Sequence, residues 1–394
     1  MRVTHVITRL IVGGAQENTI ASVLGLRERR DLTVDLITGP TAGREGSLTN
    51  CFAHAPEALS VLPELVRPVH PWKDYRATQI LARRFRAEKP ALVHTHSGKA
   101  GIVGRLAAAR AGVPVILHTI HGPSFGAFQG AFANFIFRAA ERRAARVTTH
   151  FVTVADAMRD QYLAAGIGRP DQYTRVFSGF PLDPYLATTN DPARRARWGL
   201  APEDLVVGKI ARLFALKGHD DLFQIAPELV HRHPRLKFLL VGDGPWRHRF
   251  EQLARDSGLA GHFVFTGLVP PAEIPGLVGI MDVLVHLSLR EGLPRALPQA
   301  LAGGRPVVAY DCDGAREVCL DGQTGFLIPP GDRGALIRRL GELAADAALR
   351  GRLGVQGREF VRTRFPVERM VEDLYQLYWR LAGAAGFPGG PFRP

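Results

Sequence analysis

The chain has 394 residues, and this length predicts two domains of roughly 150–200 residues each. Hydrophobic residues make up 46% and charged residues 22% of it, which is typical of soluble globular domains with sizeable cores. No apolar run reaches the roughly 18 residues needed to span a bilayer. The net charge of +13 favours anionic partners such as a membrane surface or phosphorylated substrates. No RNP signature, zinc finger or continuous basic helix is present, so no nucleic-acid partner is expected.

The first residues, MRVTHVITRLIVGG, predict a buried strand followed by a glycine turn. This stretch has no extended apolar core and no small-residue cleavage site, so an export signal is not expected and the cytoplasm is the expected location. The three cysteines, Cys51, Cys312 and Cys319, match no zinc or redox spacing and are expected to be free thiols.

Short apolar, often β-branched segments alternate with helical patterns along the chain. Runs of this kind predict strands buried on both faces, and the helices between them predict βαβ units and parallel sheets. The predicted strands are residues 3–7, 33–38, 91–96, 114–120, 150–154, 205–210, 237–242, 262–267, 283–288, 305–310 and 324–328.

The series of strands and helices occurs twice, which predicts an α/β protein of two doubly wound, Rossmann-like domains facing a cleft. The segment 178–199 is rich in Pro, Asp, Asn and Thr and predicts a linker, with the boundary near residue 185. The N-terminal domain is therefore residues 1–185 and the C-terminal domain residues 186–365. A helix over residues 366–381 begins a C-terminal segment that extends to residue 394.

Three loops of the N-terminal half follow predicted strands and carry residues suited to binding. Gly13 and Gly14 lead into a helix, whose N-terminal N–H groups attract anions, or they simply form a tight turn. Ser97 and Lys99 open the next such helix and suit a phosphate or an acceptor group, although a capped helix is an equal alternative. His121 can hydrogen-bond a ligand hydroxyl or a neighbouring carbonyl.

Two patterns could in principle bind a metal ion. His94 and His96 share one face of a strand, but no third ligand is evident. Asp311 and Asp313 resemble a metal-binding pair, but their position after a strand favours turn-forming aspartates. No metal and no cofactor are expected.

In the C-terminal half, Arg212 and Lys217 straddle the loop between a predicted strand and a helix. Two fixed cations there suit a diphosphate, which carries about two negative charges. Glycine loops at residues 241–247 and 265–270 suit backbone contacts to a base or ribose. No GxGxxG and no GxxxxGK[ST] follows a strand, which argues against a dinucleotide-binding oxidoreductase and a P-loop nucleotidase.

The segment REGLPRALPQALAGGRPVV, residues 290–308, places Glu291 in a loop before a helix. Glu291 could bind sugar hydroxyls or stabilise positive charge. Pro298 disfavours a helix interior, so the helix is expected to be irregular or to start late. The N–H groups predicted to face a ligand in this loop belong to Gly292, Leu293 and Arg295.

The segments GGAQEN, HTHSGKAG, HG, R-x4-KG, VGDGP, E-x7-Q, AGGRPVV and GQTGFLIPPGD occur in one order and spacing. With this set the chain resembles the retaining, two-domain GT-B glycosyltransferases of family 4, and among them those of bacterial polysaccharide and lipopolysaccharide biosynthesis. The resemblance covers nearly the whole chain and is most specific in the C-terminal half.

The resemblance implies a nucleotide-diphosphate sugar held mainly by the C-terminal domain and an acceptor held mainly by the N-terminal domain. It implies a final helix that crosses back onto the first domain, and no metal, because cationic side chains and helix N-termini balance the diphosphate. The implied contacts are Gly13 and Gly14 to phosphate and acceptor, His121 to the donor sugar near the reacting carbon, Arg212 and Lys217 to the diphosphate, Glu291 to donor-sugar hydroxyls, Leu268 and Val269 to the base, and position 299 to ribose hydroxyls.

At position 299 the chain departs from the family, which has a glutamate there. A glutamate accepts hydrogen bonds from two ribose hydroxyls, whereas Gln299 offers one carbonyl acceptor and two N–H donors. The lost charge assistance costs roughly 1 kcal/mol. An active enzyme with an ordinary or slightly raised donor KM is expected.

The expected function is transfer of a hexose or N-acetylhexosamine from a UDP-sugar, or a GDP-sugar, to a saccharide or lipid-linked acceptor. A covalent route to retention needs a carboxylate beneath the anomeric carbon. No motif clearly supplies one, so same-face attack assisted by the leaving phosphate is expected. The alternatives are a sugar-nucleotide epimerase or phosphorylase on the same fold, or a non-catalytic, membrane-associated subunit that binds sugar nucleotides.

Contact with an anionic membrane is expected because acceptors in the family are often lipid-linked. The basic segment 72–89 and the aromatic segment 125–138 are candidate surfaces, since amphipathic basic helices lie on anionic lipid. A packed helix with a solvated face is the alternative for each segment.

Overall fold

The computed structural model describes residues 1–41, 46–126 and 128–387, and it divides the chain into two compact units. The first unit contains Met1–Phe180 and the residues from Val367 onward, and the second contains Pro181–Pro366. The first division falls at Phe180 instead of residue 185, because the short helix at Asp183–Leu186 packs on helices of the second unit. Residues 388–394 of the predicted C-terminal segment lie outside the described residues.

The first unit is built of strands with intervening helices. Its elements up to residue 180 are β1 (Arg2–Ile7), α1 (Gly14–Arg27), β2 (Thr33–Thr38), β3 (Leu59–Val61), α2 (Pro71–Glu88), β4 (Leu92–His96), α3 (Gly98–Ala111), β5 (Val115–Ile120), α4 (Ala131–Ala145), β6 (His150–Thr153), α5 (Asp156–Ala164) and β7 (Tyr173–Arg175).

The second unit repeats the alternation, and one further helix returns to the first unit. The elements are α6 (Asp183–Leu186), α7 (Pro192–Arg197), β8 (Leu205–Ile210), α8 (His219–Arg232), β9 (Leu236–Val241), α9 (Arg247–Asp256), β10 (Phe263–Gly267), α10 (Ile274–Gly279), β11 (Val283–His286), α11 (Ala296–Ala302), β12 (Val307–Tyr310), β13 (Gly325–Ile328), α12 (Arg333–Ala345), α13 (Ala347–Arg364) and, in the first unit, α14 (Val367–Ala384).

Every predicted strand forms within about two residues of its predicted bounds, and two strands were not predicted. The unpredicted strands, β3 and β7, have three residues each and lie at the two edges of the first sheet. Their sequences, Leu-Ser-Val and Tyr-Thr-Arg, are only partly buried. An edge strand has a hydrogen-bonded neighbour on one side only. Because β3 and β7 are also partly exposed, they do not need the apolar run by which the other strands are predicted.

Both sheets are parallel and doubly wound. The strand order is β3-β2-β1-β4-β5-β6-β7 in the first unit and β10-β9-β8-β11-β12-β13 in the second. The order reverses between β1 and β4 and between β8 and β11. In such sheets ligands bind beyond the carboxyl ends of the strands at the reversal. Each unit thus has one crossover that marks its candidate ligand site.

Each unit has its own hydrophobic core. In the first unit, α14 buries Met370, Leu374 and Tyr378 in a cluster with residues of β1 and β2. A Cβ on Gly25 of α1 would lie 2.5 Å from Val371 Cγ2, so only glycine allows α1 and α14 to approach this closely. Over the described residues, no helix combines the length and the apolar composition that crossing a bilayer requires. The cysteines Cys51, Cys312 and Cys319 are free thiols.

Candidate active-site residues in the two units

In the second unit, Lys217 and Glu291 form an ion pair at the carboxyl ends of the strands that flank the crossover. Lys217 lies in the loop after β8 and Glu291 in the loop after β11, 74 residues apart in the chain. Lys217 Nζ also donates to Ser288 Oγ at 3.2 Å. Burial alone would raise the pKa of Glu291, but the ammonium of Lys217 outweighs it and holds that pKa well below its usual range. Glu291 is therefore a carboxylate whose charge is already balanced.

Two further side chains support Glu291. Its backbone N–H donates to Asp313 Oδ2 at 2.7 Å. The ring of His286, at the end of β11, places Nε2 3.3 Å from Glu291 Oε1, although this contact lacks hydrogen-bond alignment. Burial lowers the pKa of His286, so its ring is neutral near pH 7. Asp313 thus holds the backbone of the Glu291 loop, in agreement with a turn-forming aspartate, and Asp311 pairs with Arg316.

Lys209 interacts electrostatically with both members of this ion pair, and it is a buried lysine without a hydrogen bond to the described residues. Lys209 of β8 is 1% exposed, and its Nζ has no hydrogen-bond acceptor among the described residues. Burial and the nearby charge of Lys217 lower the pKa of Lys209 to about 7. A lysine inside a strand is ordinarily counted as solvent-facing, so this group was not predicted from the sequence.

Arg212 and Lys217 lie in the loop after β8, which packs closely on the loops after β9 and β11. The guanidinium of Arg212 lies 4.8 Å from the ring centroid of Phe214, and Lys217 Nζ lies 6.0 Å from the same ring. The backbone of this loop touches the glycine loop after β9: a Cβ on Gly244 would lie 2.4 Å from the carbonyl oxygen of Leu213. A Cβ on Gly218, where φ is +65°, would lie 2.0 Å from the carbonyl oxygen of Leu287. Only glycine allows either approach.

The loop after Glu291 leads into a short helix, as predicted. Helix α11 begins at Ala296, so Pro298 occupies its first turn, where a backbone N–H has no helical acceptor. The N–H groups of Gly292 and Leu293 donate to no acceptor in the described part of the chain. Gln299 is buried in α11, and its side-chain amide also makes no hydrogen bond to the described residues. These polar groups can bind a ligand.

The loop at Leu268 and Val269 follows β10, the edge strand of the second sheet. Leu268 is 52% exposed and Val269 is partly buried. An exposed leucine beside a strand end offers an apolar surface to a ring. Both residues therefore remain predictions as contacts to the base.

In the first unit, two of the predicted loops open helices at strand ends. Gly13 caps α1 and Gly14 is its first residue. Ser97 caps α3 with φ +66°, and its hydroxyl makes no capping hydrogen bond. Lys99, in contrast, is engaged by the protein: its Nζ lies 2.5 Å from Asp74 Oδ1 and donates to the carbonyl of Pro68. Of this pair, Ser97 is the better placed to meet an acceptor.

His121 follows β5 directly and is joined to a group of buried histidines. Its Nε2 lies 3.0 Å from Nδ1 of His96, and Nε2 of His96 lies 2.9 Å from Nδ1 of His5. His5 of β1 and His94 of β4 are register partners across the crossover. Sequence reasoning missed His5. Its signal was a polar residue inside a strand predicted to be buried on both faces, next to the glycine turn.

Contrary to the sequence-based view that no third ligand accompanies His94 and His96, the structure provides His5. One ring nitrogen from each of these three buried histidines lies within 4.8 Å of the others. These nitrogens also hydrogen-bond to one another and to hydroxyl groups. The absence of a metal requirement stays a prediction.

Backbone strain is concentrated in these loops. The described residues other than glycine with positive φ are Lys89, Ser97, Leu216 and Asp313. Ser97 adjoins the first-unit crossover. Leu216 precedes Lys217 in the chain, and Asp313 accepts a hydrogen bond from the backbone N–H of Glu291. Such conformations cost roughly 1–3 kcal/mol each and cluster at functional sites. Ser97 and Leu216 thus lie in loops that carry predicted site residues, and Asp313 contacts a third such loop, whereas Lys89 lies at the end of α2.

Comparison with known proteins gives matches in both units. A family model described as Glycosyl transferase 4-like domain matches residues 13–179, and one described as Glycosyl transferases group 1 matches residues 190–360. A GDP-mannose-dependent α-(1-6)-phosphatidylinositol monomannoside mannosyltransferase of Mycolicibacterium smegmatis is 32% identical over 285 residues, 70% of each chain. An Escherichia coli UDP-Gal:α-D-GlcNAc-diphosphoundecaprenol α-1,3-galactosyltransferase is 25% identical over 382 residues, 96% of each chain.

Solved structures agree in fold. The crystal structure of Anabaena HepE in complex with UDP-glucose superposes with a TM-score of 0.79 at 22% identity, covering 96% of this chain and 99% of that one. A sucrose-phosphate synthase of Thermosynechococcus elongatus gives a TM-score of 0.81 at 22% identity, covering 98% and 100%.

Two parallel-sheet Rossmann-like units in one chain, with these structural matches, define the GT-B fold. The chain belongs to the family 4-type glycosyltransferases, and it is accordingly a glycosyltransferase of glycan biosynthesis.

Proposed function

We propose that the protein is a retaining glycosyltransferase that moves a hexose or N-acetylhexosamine from a nucleotide-diphosphate sugar to a saccharide or lipid-linked acceptor. The observation that carries the proposal is the Lys217–Glu291 ion pair at the crossover of the second unit. One cation and one carboxylate at this edge suit the two parts of a sugar nucleotide, a diphosphate anion and a polyhydroxyl ring. The second unit is thus proposed to bind the donor and the first unit the acceptor.

The diphosphate is proposed to bind where positive charge and N–H donors meet. Lys217 and Arg212 supply cationic groups, and the N–H groups of Gly292 and Leu293 have no acceptor in the described part of the protein. Arg295 lies at the start of α11 and adds a further cation. A site with this charge can stabilise a leaving diphosphate without a metal.

Glu291 of the second unit is proposed to contact the donor sugar. The Glu291 carboxylate accepts hydrogen bonds from sugar hydroxyls, and Lys217 moves its main contact from this carboxylate to the arriving diphosphate. A covalent intermediate needs a free carboxylate at the anomeric carbon. Glu291 is held by Lys217, which supports same-face attack, with the leaving phosphate taking the acceptor proton.

Relatives and neighbours support the classes of donor and acceptor. The E. coli relative is named for UDP-Gal and a diphosphoundecaprenol-linked acceptor, and the M. smegmatis relative for GDP-mannose and a phosphatidylinositol mannoside. The fold neighbour HepE was solved with UDP-glucose. A UDP-sugar is the favoured donor, and the lipid-linked acceptors of both relatives favour such an acceptor here.

A donor screen tests the proposal. Purified protein is incubated with UDP- and GDP-sugars, with and without a polyprenyl-diphosphate-linked sugar, and released nucleoside diphosphate is measured. Release that depends on both substrates is expected, and NMR of the product is expected to show the anomeric configuration of the donor. Conversion of the donor to another sugar nucleotide without an acceptor indicates an epimerase. Release of nucleoside diphosphate with inorganic phosphate as the only acceptor indicates a phosphorylase. Donor binding without turnover indicates a non-catalytic subunit.

Contact with a membrane is proposed for helix α4 of the first unit. Phe132, Phe135 and Ile136 share one face of α4 and are 77%, 70% and 46% exposed. Exposed arginines follow towards the end of this helix, with Arg143 in its last turn and Arg146 as its C-cap. Exposed aromatic groups beside basic ones suit an anionic lipid surface. Residue 127 of the predicted segment 125–138 lies outside the described residues.

A further inference from the structure

An unbroken line of hydrogen bonds runs through the first unit from Thr119 to His121. Thr119 Oγ1 lies 2.6 Å from His94 Nε2, and His94 Nδ1 lies 2.5 Å from the Tyr378 hydroxyl. The same hydroxyl lies 3.1 Å from His5 Nε2. His5 Nδ1 then meets His96 Nε2 at 2.9 Å, and His96 Nδ1 meets His121 Nε2 at 3.0 Å. We call these six residues the histidine line.

The rings in the histidine line are neutral. Burial lowers the pKa of His5 and of His121 to about 3, and it lowers the pKa of His94 and of His96 well below the usual histidine range. Burial likewise raises the pKa of Tyr378 well above its usual value. Each neutral ring has one N–H and one bare nitrogen, so each can donate one hydrogen bond and accept one.

Every contact needs one hydrogen, so the protons can be ordered in only two ways. Tyr378 touches two histidines but has one hydrogen, so it donates to one and accepts from the other. If it donates to His94, every ring donates from Nε2, and His121 keeps a bare Nδ1. If it donates to His5, every ring donates from Nδ1, and His121 must carry its own hydrogen on Nδ1.

Thr119 decides between these two orders. In the first order its hydroxyl accepts from His94, and its own hydrogen has no acceptor among the described residues. Thr119 is buried, and a buried hydroxyl without an acceptor is costly. In the second order Thr119 donates to His94, His94 to Tyr378, Tyr378 to His5, His5 to His96 and His96 to His121. All of these groups are then satisfied.

We propose that Thr119, His94, Tyr378, His5 and His96 are positioning residues that hold His121 as the neutral Nδ1–H tautomer, so that it presents a hydrogen-bond donor at its open edge. Nδ1 of His121 has no partner among the described residues. It therefore donates to a ligand oxygen, such as a sugar hydroxyl or a phosphoryl oxygen. It does not take a proton there, because that nitrogen already carries one. The identity of this ligand rests on the proposed function; the tautomer does not.

The tautomer is measured by two-bond ¹H–¹⁵N NMR of the full chain labelled at histidine, with the His121 signals assigned by their loss in His121→Asn. The native protein is expected to show His121 protonated on Nδ1. Thr119→Val removes the first donor of the histidine line and Tyr378→Phe breaks its middle, so each is expected to give a mixture of His121 tautomers. Turnover in each variant should fall about fivefold to tenfold, the size of one weakened hydrogen bond.

Two variants serve as controls. Thr119→Ser keeps a hydroxyl and is expected to keep the Nδ1–H tautomer. Thr174→Val removes a threonine that bonds His150 at 2.8 Å outside the histidine line, and it should leave the His121 tautomer unchanged.

The native spectrum alone can overturn the inference, even if the variants do not fold. His121 protonated on Nε2 or on both nitrogens contradicts it, as does one metal ion bound per chain at His5, His94 and His96. An unchanged tautomer in folded Thr119→Val also contradicts it. The proposed function can fail independently of the tautomer. If His121 is protonated on Nδ1 but the protein transfers no sugar, the proposed sugar transfer is refuted and the inference about the tautomer stands.

Discussion

At the residue scale, the Glu291 carboxylate is held ionised by neighbours that a bound diphosphate would also attract. Lys217 is its ion-pair partner, and both side chains are mostly buried. Breaking a buried pair from one side leaves an uncompensated charge. A substrate can replace the lost contact when it brings its own anion to Lys217. We therefore expect the pair to open when a donor binds.

Replacing Glu291 by alanine is expected to separate turnover from nucleotide binding. Turnover should fall by about 100-fold or more, because an interaction aimed at the reacting sugar is lost. Affinity for the nucleoside diphosphate should stay within a few-fold, because Lys217 is freed to bind it. Steady-state kinetics and calorimetry measure the two quantities, and Glu228→Ala, an exposed partner of Arg232 in the same unit, is the control. Equal losses of both would show that Glu291 has a different role.

Gln299→Glu is expected to tighten donor binding. The amide of Gln299 has no hydrogen-bond partner among the described residues, so a carboxylate would add a charged acceptor for the ribose hydroxyls. A gain of roughly 1 kcal/mol corresponds to about a fivefold lower donor KM, with kcat unchanged. With a 2′-deoxyribose donor in place of the ribose donor, most of the difference in KM between Gln299→Glu and the native protein should disappear. A folded variant without turnover would refute a ribose contact at position 299.

Lys209→Met is expected to stabilise the protein, and the gain should depend on pH. The folded chain releases the Lys209 proton at about pH 7, well below the range in which the unfolded chain does. Unfolding therefore takes up a proton between about pH 7 and the ordinary lysine range, and the native protein gains stability as the pH rises through that window. The methionine variant lacks this gain, so its advantage should be largest below about pH 7 and shrink towards pH 10.

Denaturant unfolding at several pH values measures the Lys209 effect. Lys237→Met removes the same charge from the second unit, at a partly exposed site where the ammonium donates to the carbonyl of Gly261, and serves as the control. A Lys209→Met advantage that does not change with pH would mean that Lys209 is charged in the folded protein.

At the element scale, the strands follow from their apolar runs, but short edge strands do not. The sequence predicts β1 and β8 because both faces of each are buried. It does not predict β3 and β7, which need only one neighbour and little burial. Helix α11 is a further case: its proline predicted a late start, since a proline is accommodated in the first helical turn but not beyond it. Apolar runs in the sequence thus predict a strand well where both of its faces are buried.

Helix α4 is expected to contribute to membrane binding through its exposed apolar face. The double variant Phe132→Ser/Phe135→Ser should lower co-sedimentation with anionic vesicles by about tenfold, since each phenylalanine loses roughly 1.5–3 kcal/mol when it cannot be buried and membrane burial is partial. Val355→Ser changes an equally exposed apolar residue in α13 and is the control. Unchanged sedimentation of the double variant would exclude α4 as the membrane surface.

At the scale of the whole molecule, catalysis is expected to proceed without a divalent metal. Charge on the leaving diphosphate would be balanced by Lys217, Arg212 and backbone N–H groups of the second unit. Transferase activity should therefore change less than about twofold after dialysis against EDTA, with no recovery on adding magnesium or zinc. A loss that a divalent ion reverses would refute this expectation.

The sequence alone determined the two α/β units and most of the candidate residues, because a βαβ unit places the residues after each strand at one edge of the sheet. Arg212, Lys217, Glu291 and His121 were identified in this way. Only the tertiary structure decided which of them interact. The contact between Lys217 and Glu291 depends on β8 and β11 being neighbours across the crossover.

The histidine line could not be read from the sequence for the same reason. Tyr378 lies 373 residues from His5 in the chain, and they meet because α14 returns to the first unit. A lone histidine in a strand and a tyrosine in a helix are each typical of a core. Their function depends on hydrogen-bond partners, which the folded chain supplies and local sequence patterns do not specify.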